Sequence, residues 1–173
     1  MKKMLFKVLL FATLGMVFSG CEPLTSQGED ADSDIRLSDS LSILKRYTPT
    51  SVNVMPLTKF EETSSQPSQT YIHIYVGLID AYGTQIKSPS TFRFELYEKI
   101  ALSTQPKGSR IVMWPDMDLT DPKVNNKYWS DFFRAYEFRL PFEPKQGKSY
   151  ILQVTAINSD SKRLTDEIII DAP

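Results

Sequence analysis

The chain has 173 residues, 41% of them hydrophobic, with 20 basic and 21 acidic side chains. That length suits one domain with a substantial core, and the balanced charge argues against a nucleic-acid partner, which attracts clustered lysine and arginine. The single cysteine excludes an intramolecular disulfide bond.

The N-terminal stretch has the three parts of a secretory signal peptide. Three lysines lie within the first seven residues, an apolar run continues to Phe18, and the small residues Ser19 and Gly20 precede Cys21. The uninterrupted apolar part is shorter than the about 20 residues that a membrane-spanning helix needs. The pattern therefore predicts a signal peptide over residues 1–20 rather than an element of the folded domain.

The tripeptide Ser19-Gly20-Cys21 resembles the end of the lipobox of bacterial lipoproteins, in which a small residue precedes the cysteine that becomes lipidated. Phe18 departs from that pattern, because leucine or another aliphatic residue is usual there. The resemblance implies that the chain is cut before Cys21 and that acyl chains on Cys21 hold the protein at a membrane of the bacterial cell envelope. Glu22 is not the aspartate that keeps some lipoproteins at the inner membrane, which favours the outer membrane. A plain secretory signal with an incidental cysteine and an uncleaved anchor helix are the alternatives.

Residues 21–40 are polar and acidic, with glutamate and aspartate among serine, glycine, threonine and proline. A segment of this composition buries too little apolar surface to offset the entropy of ordering, so it is predicted to be a disordered tether. Leucines at helical spacing after it predict a short helix over residues 38–46. The folded domain is predicted over residues 41–173.

The hydrophobic period changes to two from about residue 47, which predicts strands. Pro56 is typical of an edge strand, and the polar residues 59–69 after it predict a loop. In the strand that contains Phe94, this side chain is predicted to point inward and its neighbour Glu95 to point into solvent. The eight predicted strands are Ser51–Leu57, Tyr71–Asp80, Gln85–Lys87, Thr91–Ile100, Arg110–Trp114, Ala135–Pro141, Ser149–Asn158 and Leu164–Asp171.

These strands and the turn signals between them predict an all-β fold. The predicted fold is an immunoglobulin-like antiparallel β-sandwich of about seven or eight strands with one short helical insertion, preceded by a signal peptide and a disordered linker. The last hairpin, Ser149–Asp171, resembles the final two strands of immunoglobulin-like and fibronectin-type sandwiches, and Gly147-Lys148-Ser149-Tyr150 resembles their tyrosine corner. C2-like and transthyretin-like sandwiches have similar patterns, and none of these folds implies an activity.

The helical insertion is predicted over Asp118–Arg134, where several aromatic residues recur at helical spacing. The simpler interpretation is that these rings close one end of the core. The alternative is an exposed platform of Trp114, Tyr128 and Trp129 that binds a carbohydrate or a peptide. The burial of the three rings distinguishes the two interpretations.

Three nearby carboxylates, those of Asp116, Asp118 and Asp121, are weak candidates for a calcium site, because calcium binds several carboxylate oxygens on one loop. Their spacing lacks the glycine and the distal glutamate of an EF-hand loop. Helix capping and turn formation explain each aspartate equally well, so no metal site is predicted.

His73 is the only histidine, and it lies on the strand face that carries Tyr71 and Tyr75, without an identifiable partner. The sequence contains no nucleophile elbow, zinc-ligand set, phosphate-binding loop or dinucleotide fingerprint. We therefore expect a non-catalytic protein without a cofactor. The predicted role is structural or partner-binding at the cell envelope, with a lipid anchor in the membrane and an envelope protein or a glycan as partner. A small carbohydrate- or peptide-binding module is the alternative.

Overall fold

The computed structural model describes Ser42, residues 47–64 and residues 69–173. The chain from Leu41 to Pro173 forms one compact unit. The predicted signal peptide, the predicted lipidation site Cys21 and the acidic tether lie outside the described residues, as does the predicted helix over 38–46 apart from Ser42. Among the described residues, no helix is long and apolar enough to cross a membrane.

The described part of the domain contains eleven strands and one complete helix, and Ser42 is also helical. In chain order they are β1 (Ser51–Val54), β2 (Lys59–Glu62), β3 (Thr70–Ile79), β4 (Gln85–Ile86), β5 (Ser90–Lys99), β6 (Lys107–Met113), β7 (Met117–Asp118), α1 (Pro122–Tyr128), β8 (Trp129–Ser130), β9 (Ala135–Pro141), β10 (Ser149–Asn158) and β11 (Arg163–Asp171). Eight of these strands correspond to the predicted ones, and β2, β7 and β8 are additional.

The strands form two antiparallel sheets. Sheet 1 has the order β1–β3–β9–β8, with β2 and β4 also paired to β3, and sheet 2 has the order β11–β10–β5–β6, with β7 also paired to β5. In the nomenclature of immunoglobulin domains these orders are A–B–E–D and G–F–C with one added strand beside C. The two antiparallel sheets confirm the predicted all-β sandwich, and their strand order corresponds to that of immunoglobulin domains.

The core lies between the two sheets. It consists of the side chains that point inward, which are every second residue along each central strand. Every second residue from Ile72 to Leu78 is fully buried, and so are Phe92, Phe94 and Leu96 on β5. The Phe94 ring lies edge-on to the Phe138 ring of the other sheet, with centroids 4.8 Å apart. Such aromatic pairs add about 0.5–1.5 kcal/mol beyond the burial of area.

A tyrosine corner joins β9 to β10. The backbone N–H of Lys145 donates a hydrogen bond of 2.8 Å to the hydroxyl of Tyr150, which begins the buried face of β10. Gly147 has a φ of +69°, a left-handed conformation that glycine adopts without strain. This geometry matches the corner at the start of strand F in immunoglobulin-like domains.

Two predicted elements differ from the structure. Residues 59–69 were predicted to be a loop, but β2 begins at Lys59 because its backbone pairs with β3. The predicted helix over Asp118–Arg134 is only the seven residues of α1, capped by Asp121, whose carboxylate accepts hydrogen bonds from two backbone N–H groups. The helix ends at Tyr128 because Trp129 and Ser130 pair with β9 instead.

Candidate functional site

The three aromatic residues of the predicted platform do not share one exposed surface. Trp114 is only 8% exposed, and its indole Nε1 donates a hydrogen bond of 3.2 Å to the carbonyl of Pro141, at the C-terminal end of β9. Trp129 pairs with Tyr136 near the opposite end of β9. Trp114 therefore belongs to the core, as the simpler interpretation expects, and the alternative of an exposed ring at this position does not hold.

Tyr128 and Trp129 are both half-buried and pack against the edge of the core. The Tyr128 ring is stacked on Phe138 with centroids 5.3 Å apart. The Trp129 ring lies edge-on to Tyr136 at 5.1 Å, and its Nε1 donates to Asp131 Oδ1 at 2.8 Å. These contacts give both rings a structural role at the end of the sandwich.

The three candidate aspartates have separate partners. Arg93 donates two hydrogen bonds, of 2.9 and 2.7 Å, to the carboxylate of Asp116, and these bonds lower the pKa of Asp116. Hydrogen bonding with Thr120 lowers the pKa of Asp118. Asp121 caps α1. Within the described residues, no group of three or more histidine, cysteine, aspartate or glutamate side chains has an arrangement that could hold a metal ion.

His73 is buried on the outer face of sheet 1, between carboxylates from two neighbouring strands. Its Nδ1 lies 3.1 Å from Glu61 Oε2 on β2, and its Nε2 lies 3.5 Å from Glu137 Oε2 on β9. The Tyr71 hydroxyl donates to the same Glu61 oxygen at 3.0 Å, and the Tyr75 ring lies 4.4 Å from the imidazole. We call these five residues the histidine cluster.

The carboxylates of Glu61 and Glu137 shift the pKa values of the groups around them in the histidine cluster. The hydrogen bond to Glu61 raises the pKa of Tyr71. Burial is the main cause that raises the pKa of Tyr75, and the negative charges of Glu137 and Glu61 add to it. Partial burial works to raise the pKa of Glu61, but hydrogen bonds with Lys59, Tyr71 and His73 together lower it. The groups beside the imidazole are carboxylates and tyrosines, so the histidine cluster contains no serine or cysteine that His73 could activate.

The outer face of sheet 2 carries a second ordered cluster, centred on Glu95. This side chain was predicted to point into solvent, but the residue is only 8% exposed. Arg110 Nη1 and the Tyr97 hydroxyl donate to Glu95 Oε1 at 2.6 and 3.2 Å, and Gln153 Nε2 donates to Glu95 Oε2 at 3.1 Å. The neighbouring strands β6 and β10 therefore cover the carboxylate with hydrogen-bond donors.

Lys107 extends this cluster toward β11. Its Nζ donates to Gln153 Oε1, and to Glu167 Oε2 at 2.7 Å. The same ammonium group lies 4.5 Å from the centroid of the Tyr97 ring, a cation–π contact. We call Glu95, Tyr97, Lys107, Arg110 and Gln153 the Glu95 network. It links the side chains of β5, β6 and β10 and reaches β11 through the bond to Glu167.

Half-exposed apolar side chains lie at the two edges of the Glu95 network. Met113 on β6 is 50% exposed and pairs with Glu95 across the strands. Ile169 on β11 is 48% exposed, opposite the buried Ile151. The outer face of sheet 2 thus combines a rigid polar centre with apolar positions that remain accessible.

Several clefts open on the described surface, and two of them, at opposite ends of the sandwich, are the most relevant to binding. One of about 570 Å3 is bounded by the loop Lys87–Pro89 and by residues of α1 and the segment before it. The other, of about 320 Å3, lies beside the tyrosine corner and is lined by Phe142, Tyr150 and charged side chains that include Lys145. Neither cleft is lined by His73, so neither brings the only histidine to a substrate-sized cavity.

Comparisons with known proteins gave no relative for this chain: no family model, no curated protein and no solved structure matches it.

Proposed function

We propose that the chain is a lipid-anchored protein of the bacterial cell envelope whose sandwich domain binds a partner protein and catalyses no reaction. The signal-like N-terminus that ends in Ser19-Gly20-Cys21 supports the anchor. The observation that carries the binding role is the Glu95 network on the outer face of sheet 2.

The Glu95 network supports binding because it holds typical interface side chains in fixed positions. Arginine and tyrosine are enriched among the residues that contribute most to protein–protein affinity. Arg110 is held by Glu95, and Tyr97 lies between Glu95 and Lys107, so less side-chain entropy is lost when a partner binds. Met113 adds an exposed apolar contact beside this centre.

A glycan platform and an enzyme are less well supported. The platform considered from the sequence needs Trp114, Tyr128 and Trp129 exposed on one surface, but Trp114 is buried and Trp129 packs on Tyr136. An enzyme with a histidine-activated serine or cysteine would use His73, whose ring nitrogens face Glu61 and Glu137 on the outer surface of a sheet. Partner binding through an outer sheet face requires neither feature.

Photo-crosslinking in the native bacterium tests the binding role. A photoreactive phenylalanine analogue at position 113 or 169 should give one discrete crosslinked product, because Met113 and Ile169 border the Glu95 network. Arg110→Glu should abolish that product while the protein remains folded. The same analogue at position 57 is the matched control, because Leu57 is 46% exposed and lies in the segment between β1 and β2 of the other sheet. No product at 113 and 169, or the same product at 57, would contradict the proposal.

A further inference from the structure

Strand β6 forms an open edge of sheet 2. It pairs with β5 on one side, and no described strand pairs with it on the other. The backbone N–H of Trp114 donates to the carbonyl of Phe94 at 3.2 Å, so these two residues form a hydrogen-bonded pair directly after β6. Hydrogen-bonded pairs alternate with unbonded pairs in an antiparallel ladder. The backbone N–H and C=O of Met113, which lies opposite Glu95, therefore point away from β5 and toward the open edge.

The strands at the other ends of the two sheets are short or covered. Strand β8 has two residues and β1 has four. Strand β11 is longer, but it lies beside β1, and there the backbone N–H of Val54 donates to Asp166 Oδ2 at 2.8 Å. Short edge strands and charged side chains that occupy an edge are the usual means by which sheets avoid pairing with another chain.

The charged side chains of β6 do not protect its edge. A lysine or arginine that extends past an edge strand hinders the approach of a second strand. The two cations of β6 are Lys107 and Arg110, and both are bonded back across the outer face of sheet 2. Lys107 donates to Glu167 at 2.7 Å, and Arg110 donates to Glu95 at 2.6 Å. The Glu95 network therefore withdraws both charges from the edge.

The accessible part of this edge is the C-terminal half of β6. Two register shifts against β5, one on each side of Tyr97, distort the pairing before Val112, whereas Val112 and Met113 pair in regular register. The side chains here are apolar, with Ile111 45% exposed and Met113 50% exposed. An added strand therefore finds regular backbone and apolar side chains along residues 111–114.

We propose that the partner protein adds an extended segment to sheet 2 along residues 111–114, with its backbone bonded to the N–H and C=O of Met113 and an apolar side chain beside that of Met113. In strand addition, main-chain hydrogen bonds supply affinity and alternate side chains supply specificity. Because Met113 is the cross-strand neighbour of Glu95, the edge and the Glu95 network form one continuous surface. The inference rests on the proposed partner binding and specifies how the partner is recognised.

A second copy of the chain is a poorer match for this edge than an extended segment of a partner. In an antiparallel pair of two β6 strands centred on Met113, the bulged segment of each strand lies against Pro115 of the other. Proline has no N–H to donate, so the pairing cannot continue there. A partner segment has neither a bulge nor a proline imposed on it.

Amide hydrogen exchange tests whether the edge is open. Residues 41–173 form one compact unit that contains the whole described core, so this fragment is suitable. In the isotope-labelled fragment, the Met113 amide should exchange at least about tenfold faster than those of Val112 and Trp114. Slow exchange at Met113 would overturn the proposal, because its N–H would already be bonded. Protection of Met113 that appears only at high protein concentration would assign the edge to a second copy and also overturn it.

Photo-crosslinking in the native bacterium tests the pairing with the partner. The photoreactive analogue at position 169 reports the partner from the far border of the Glu95 network. Met113→Pro removes the N–H that faces the edge and breaks no bond to β5, so it should lower the yield of product at 169 about fivefold or more. Met113→Leu is the matched control, because it keeps the N–H and an apolar side chain, and its yield should stay within about twofold of the parent. Circular dichroism should show that both variants are folded.

The outcomes separate strand addition from the proposed function. Equal yields for Met113→Pro and Met113→Leu would overturn strand addition and leave the proposed partner binding intact. A parent chain that gives no product from position 113 or 169 would refute the proposed function, and strand addition with it. A product with the mass of two copies of the chain would overturn the proposal in favour of self-association.

Discussion

Replacing Glu95 with alanine should destabilise the domain by about 1–2 kcal/mol, although the alternating pattern of β5 assigns this residue to solvent. The carboxylate accepts hydrogen bonds from Arg110, Tyr97 and Gln153, and the residue is only 8% exposed. Hydrogen bonds to a charged group contribute about 1.5–3 kcal/mol each when they are well shielded from water. The Arg110 side chain is 51% exposed, so in the variant water can replace the hydrogen bond that Arg110 no longer makes to Glu95. The expected loss of stability is therefore near the lower end of this range.

Glu98→Ala is the matched control on the same strand. Glu98 is exposed, and we expect its replacement to cost less than about 0.5 kcal/mol. Glu95→Gln keeps the shape and one acceptor oxygen, so it should cost less than Glu95→Ala. Urea unfolding of residues 41–173, followed by tryptophan fluorescence, measures all three free energies of unfolding. Equal values for Glu95→Ala and Glu98→Ala would refute the view that the network fixes this face.

Three further predictions concern the core, the tyrosine corner and acid stability. Phe94→Ala should cost about 3–5 kcal/mol because the ring is fully buried, whereas Phe132→Ala should cost less than about 0.5 kcal/mol in the same denaturant assay. Tyr150→Phe should cost about 1 kcal/mol, because it removes the acceptor of a backbone N–H, and a neutral result would contradict the role of the corner. The pKa of Asp116 is lowered by Arg93, so this pair stabilises the fold above the ordinary aspartate pKa of about 4 and loses that contribution as the pH falls. Asp116→Asn should therefore lose less stability than the parent between about pH 6 and pH 3, and an unchanged acid dependence would contradict the pairing.

The fold was predictable because the alternation of apolar and polar residues is strong and recurs in several segments. The alternation in β3, β5, β9 and β10 identified the strands that form the centre of each sheet, and Tyr150 identified the corner before β10. Because successive side chains of a strand point to opposite faces, the alternation of apolar and polar residues specifies which face of a central strand is buried.

The short elements were not predictable from local pattern, because long-range pairing produces them. Strand β2 is a polar segment that becomes a strand only because its backbone pairs with β3. For the same reason, Glu61 was not recognised as the partner of His73, twelve residues away in the sequence. The burial of Glu95 depends on Arg110 and Gln153, which lie on other strands of the sheet. The hydrophobic pattern of a strand assigns its charged residues to the exposed face. Only the register between strands shows which hydrogen-bond donors surround them.

The central claim, a lipid-anchored protein of the cell envelope, is tested most directly at Cys21. Bacteria that express the chain should be grown with a tagged fatty acid, and the purified protein should be compared by intact mass with the Cys21→Ser variant. We predict that the parent protein is labelled, lacks residues 1–20 and is heavier than the cut chain by the mass of its acyl groups, while the variant carries no label. An unlabelled parent with the same acyl-free mass as the variant, apart from the single substituted atom, would contradict the account.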